Sequence, residues 1–138
     1  MTVRPEVLEA ARQWVQKAEE DMTNAVHTLK LRQSCPFATV CFHAQQTVEK
    51  YLKALLTLHS VPFPKTHDLG ELLALVPNEA RPDSSGPELA GLNVYASETC
   101  YPGDRDPFTR VEAEAAVALA SRVRDAIRVR LPAGVLTG

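Results

Sequence analysis

Residues 43–56 read HAQQTVEKYLKALL, a stretch with a good apolar helix face and an uncommonly polar one. At helical spacing, Phe37, Val40, Cys41, Ala44, Val48, Tyr51, Leu52, Leu55 and Leu58 gather on one side. Opposite them stand His43, Gln46, Lys50 and Lys53, spaced so that they stack in a row along the helix axis. Gln45 and Glu49 make a neighbouring row one turn apart. Phe42 and Leu56 interrupt the polar side, where a face meant only for water would lack large apolar groups. Two readings of that side stand: a solvated face, or a surface that packs on a second copy of the chain. On the second reading the candidate dimer-interface residues are Phe42, Gln46, Glu49 and Leu56.

The same helical period extends outward in both directions. Pro5, suited to a first helical position, opens a predicted helix to about Leu31. Leu8, Ala11, Trp14, Val15, Ala18, Met22, Ala25, Val26 and Leu29 form its stripe. Asp21 sits at the stripe's edge, either partly exposed or buried against a cation, since an unpaired buried carboxylate is costly. Lys50 and Lys53 are the candidate partners. The quoted segment belongs to a predicted second helix from about Pro36 to His59.

Two prolines in VPFPKTHDL forbid helix, and Thr66 stands as an N-cap for a short helix over Asp68 to Val76. The Pro-, Ser- and Gly-rich PNEARPDSSGPE reads as loop. A further helix is expected over about Leu89 to Thr99, broken by CYPGDRDP, and a last one over about Phe108 to Arg130. Acids at the start of that last helix and Arg122, Arg124, Arg128 and Arg130 toward its end complement the helix dipole. No segment alternates with period two for long enough to suggest a strand. The expected fold is all-α: one domain over residues 1–138, an antiparallel up-and-down bundle of four to five helices.

Composition narrows the function. The chain has 138 residues, 45% hydrophobic and 23% charged, with net charge −2, so no global basic field draws it to nucleic acid. No signal peptide and no membrane span are expected, and the odd count of three cysteines reads as reduced thiols in the cytoplasm. Cys35, Cys41 and His43 lack the tight paired spacing of a zinc site, so no metal and no cofactor is expected. Weak catalytic candidates are His43, His67 and Tyr101, and the candidate phosphate or nucleotide ligands are Lys50, Lys53, Lys65 and Tyr101.

Trp14, Ala18 and Asp21, then FHAQQTVEKYLKALL from Phe42, KTHDLGELL from Lys65 and YPGD from Tyr101 carry a resemblance. The pattern resembles the HEPN domain family, the higher-eukaryote and prokaryote nucleotide-binding domain. The resemblance implies a helical bundle that commonly pairs as a homodimer. It also implies, for small prokaryotic members, a minimal nucleotidyltransferase partner in a toxin–antitoxin-like pair, and nucleotide or RNA as ligand. Many members are metal-independent ribonucleases built on an Arg followed, roughly four to six residues later, by a His that assists proton transfer. Here none of His27, His43, His59 or His67 follows an Arg at that spacing, and Cys100 stands where close relatives often place an Arg before Tyr-Pro. The expectation is therefore a non-catalytic, homodimeric binding module, with a divergent ribonuclease as the alternative.

Overall fold

The computed structural model describes residues 2–84, 86–96 and 107–136. Among these, the chain is helical throughout its regular structure, with no strand. The first two helices are α1 (Pro5–Leu29) and α2 (Phe37–Leu58). Two short helices follow, α3 (Leu69–Leu75) and α4 (Gly86–Ala90), and then α5 (Arg110–Arg128) and α6 (Ala133–Leu136). Single 3₁₀ turns lie at Asn78–Ala80 and Asn93–Tyr95. The long helices fall where the apolar period placed them.

Helix α1 opens on Pro5, whose missing N–H is one that the first turn leaves unbonded in any case. It turns at Ser34, held at a left-handed φ of 56°, into the antiparallel α2. Helix α5 starts beside the end of α1, because Arg110 donates to the carbonyls of Leu29 at 2.9 Å and Leu31 at 2.7 Å. Those are carbonyls that the end of α1 cannot satisfy internally. The Arg110 guanidinium also lies 5.0 Å from the Phe37 ring at the start of α2. Helices α2 and α5 therefore run in the same direction, and the segment carrying α3 and α4 returns the chain between them. The result is an up-and-down bundle.

Helix α2 is its centre. Every residue from Phe37 to Leu58 is buried or half-buried, including Gln45, Thr47 and Glu49 on the side opposite the apolar face. Val40, Tyr51, Leu52 and Leu55 pack among Ala11, Val15 and Ala18 of α1 and Ala116, Val123 and Ile127 of α5 in one core. This excludes the solvated-face reading of α2. It also removes Leu56, which is fully buried, and Glu49, 3% exposed, from the candidate dimer surface. Gln46 is likewise buried, and of the four candidates only Phe42 keeps partial exposure. The chain's own loop and helices occupy the face that a second copy would have needed.

Two local expectations are corrected. Asp68, not Thr66, caps α3, accepting the Glu71 N–H at 3.2 Å. Thr66 instead accepts the Asp68 N–H and donates to the Glu71 carboxylate, each within about 3.1 Å, in the capping loop. The helix expected from Leu89 is shorter and earlier, ending at Ala90 with a separate 3₁₀ turn at Asn93–Tyr95; residues 97–99 lie outside the described residues. Beyond the last expected helix, the short α6 lays Val135 against the core.

Candidate functional site

The polar side of α2 is a seam of ion pairs inside the chain. Asp21, 7% exposed on α1, takes the Lys50 ammonium on Oδ2 at 2.5 Å and the His43 Nδ1 on Oδ1 at 2.7 Å. Of the two candidate lysines, Lys50 is thus the one that meets Asp21. One helical turn further on, Lys53 is held by Glu49 Oε2 at 3.0 Å and lies beside a packed pair of rings, 5.4 Å from Trp14 and 5.9 Å from Phe63. A lysine stem can lie along apolar surface while aromatic faces and a carboxylate satisfy its charge.

Glu49 is the hub of the second cluster. Its other oxygen meets His67 Nδ1 at 2.8 Å and accepts from the Gln45 amide at 3.2 Å. Gln45 also donates to the His67 carbonyl at 3.1 Å and accepts from Gln46 at 2.6 Å. Burial opposes ionisation of Glu49, but the hydrogen bonds from His67 and Lys53 outweigh it and hold the carboxyl below its ordinary range. The His67 ring is 66% exposed, and its Nδ1 is anchored on the buried carboxylate. Its Nε2 has no protein partner among the described residues. Carboxylate-backed imidazole in this geometry has a fixed ring orientation and a free nitrogen for proton exchange or ligand contact.

The seam brings His43, Lys50 and Asp21 together, and Glu49, Lys53 and His67 together. Lys65 is exposed on the loop before α3 and joins neither cluster. Phe42 packs edge-on against the His43 ring at 5.3 Å. Tyr101 lies outside the described residues. Among the described residues, no group of three His, Cys, Asp or Glu side chains is placed to hold a metal ion.

A third cluster, on the far side of α1, was not singled out in the sequence. Arg124 grips Glu19 through Nε at 2.7 Å and Nη2 at 2.8 Å, a bidentate pair. The buried Tyr51 hydroxyl donates to the same carboxylate and accepts from Arg128 at 3.1 Å. The Arg124 pair holds Glu19 below the ordinary carboxylate range, against the opposing effect of burial. Burial, and then the Glu19 carboxylate, push the Tyr51 phenol up to about 12. In the sequence these arginines read as helix-dipole complements. The signal that could have separated them is the placement of Arg124 and Arg128 one turn apart on the side of α5 that faces α1.

The fold and these blocks decide the family. The HEPN domain model matches residues 11–130. The chain belongs to the HEPN domain family. A crystal structure of an archaeal HEPN homologue is similar to this HEPN chain with a TM-score of 0.63 at 18% identity. That match covers 88% of this chain and 98% of the archaeal one, and at such identity it speaks for the fold alone. No curated protein matches the chain. No helix among the described residues is long and apolar enough to cross a membrane.

Proposed function

We propose that this HEPN chain is a non-catalytic binding module that pairs with a second copy and with a minimal nucleotidyltransferase in a toxin–antitoxin-like arrangement in the cytoplasm. The observation that carries this reading is the internal neutralisation of the cations on α2. Lys50 is paired with Asp21 and Lys53 with Glu49, and no His follows an Arg at the spacing the ribonuclease members use. A charge engaged by a buried partner within the chain orders the helices and is poorly placed to stabilise a scissile phosphate. Self-association then falls to outer surfaces, where Val94, Val111 and Val129 are 66%, 77% and 80% exposed. Light scattering should give twice the chain mass at micromolar concentration, and co-expression with a nucleotidyltransferase encoded beside it should give one co-eluting complex. A monomer that ignores that partner would overturn the reading.

One observation favours a second reading, a divergent metal-independent ribonuclease: the exposed His67 ring backed by buried Glu49. Such an imidazole could move the proton of an RNA 2′-hydroxyl. RNA cleavage without metal that disappears in His67→Ala would establish it over the first reading. Intact RNA at low salt would eliminate it.

A further inference from the structure

The end of the bundle where α1 starts and α2 and α5 stop carries a furrow that none of the three clusters uses. Two cavities of about 390 and 250 Å³ adjoin there, sharing Val3, Leu58 and His59. Val129, Leu131 and Pro132 line the larger one and Val7 the smaller, so an apolar floor runs through both. Leu58 and Leu131 are buried, whereas Val129 stands 80% exposed. An aliphatic side chain left in water beside a furrow offers area that a second surface can cover.

The polar part of the lining is basic. Arg4 belongs to the smaller cavity, Arg130 to the larger and His59 to both, and among the described residues no Asp or Glu lines either one. Arg130 gives Nη1 to the Ala126 carbonyl at 2.5 Å, closing the end of α5. Its Nε and Nη2 have no partner among the described residues. Arg4 lies 3.5 Å from Glu6, but the two side chains are 76% and 67% exposed, and a pair so open to water holds weakly.

Charge complementarity calls for an anionic occupant with an apolar body. Arg4 and Arg130 stand in different cavities, so the occupant's charges are spaced, unlike the single carboxylate of a fatty acid. No Phe, Tyr or Trp lines the furrow, which leaves no ring on which a nucleic-acid base would stack. Two arginines and a histidine are also fewer than the roughly four to eight basic residues that hold an anionic membrane. We propose that the furrow docks a segment of another protein in which aliphatic side chains lie between acidic ones. The aliphatic groups cover Leu58, Val129 and Pro132, and the acids meet Arg4 and Arg130. The proposal rests on the binding-module reading and gives its partner contact a place and a chemistry.

Selection of a displayed random-peptide library on the full chain tests it, with the Val129→Glu, Arg130→Glu double variant as the counter-target. Peptides joining Asp or Glu to Leu, Ile or Val should be enriched on the parent. Synthetic copies should bind the double variant about tenfold or more weakly in fluorescence anisotropy, whereas Lys30→Ala, at the far end of α1, should stay within about twofold. Enrichment that ignores the double change in a protein of native circular dichroism overturns the site, and so does the absence of any acidic–aliphatic class. Octanoate, or phosphatidylserine–phosphatidylcholine vesicles, binding the parent but not the variant would assign the furrow to a lipid. A monomeric variant of a dimeric parent would assign it to a second copy, and either result overturns the proposal. A parent that still pairs and still co-elutes with the nucleotidyltransferase would leave the binding-module reading standing without this site.

Discussion

Asp21 and Lys50 join α1 to α2 across 2.5 Å in a place where the carboxylate is 7% exposed, and His43 occupies the second carboxylate oxygen. Neither oxygen is left bare, which is the condition under which a buried charge is tolerated.

Asp21→Asn removes the charge and leaves the Lys50 ammonium partly buried without a counter-ion. Breaking a buried pair from one side costs on the order of 3–5 kcal/mol. Lys50 keeps some access to water, so a loss near the lower end, about 3 kcal/mol, is expected in urea unfolding. An Asp21→Asn protein as stable as the parent would show that the pair does not hold the hairpin.

The Glu19–Arg124 pair gives stability a defined pH dependence. The folded-state pKa of Glu19 lies below its unfolded value, so folding is favoured wherever the carboxylate is ionised. The contribution is complete above about pH 5 and is lost as the pH falls through the lowered folded pKa. Glu49, also shifted down, acts in the same direction. Melting curves from pH 3 to 7 should show this loss, and Arg124→Met should flatten it in part. Because Glu19 is about a third exposed, solvent screening keeps its share modest.

Tyr51 should ionise well above an ordinary tyrosine. Absorbance near 295 nm, followed with rising pH, should show a component ionising near pH 12 that Tyr51→Phe removes. A titration complete by pH 11 in the folded protein would contradict the buried donor role of this hydroxyl.

Arg110→Ala should fray the end of α1. Two backbone carbonyls, those of Leu29 and Leu31, lose charge-assisted donors, and the Phe37 ring loses its cation. Hydrogen exchange should quicken at residues 27–31 while the middle of α1 stays protected, with a global cost of about 1–3 kcal/mol.

How far the sequence revealed this molecule depended on which force set each part. Helical periodicity is a property of a single segment, so α1, α2 and α5 were readable to within about two residues at each end. Asp21 stood out for the same reason, as an acid on the edge of an apolar stripe. The Glu49 hub was misread as an outward surface because its partner His67 lies in a loop whose course no periodicity encodes. Choosing between Thr66 and Asp68 as the cap turned on a backbone offset of two residues, where both side chains are competent acceptors. The Glu19–Arg124 cluster went unread because it exists only when α1, α2 and α5 meet.

The enclosure of α2 has a consequence for how such a protein can change. Helix α2 offers only partly exposed side chains such as Phe42 and His43, so most of the chain's outer surface belongs to the other elements. On the binding-module reading, substitutions at the exposed Val94, Val111 or Val129 would alter recognition while leaving the buried core in place. On that reading specificity and foldability would be set by different residues, the first on the surface and the second along α2.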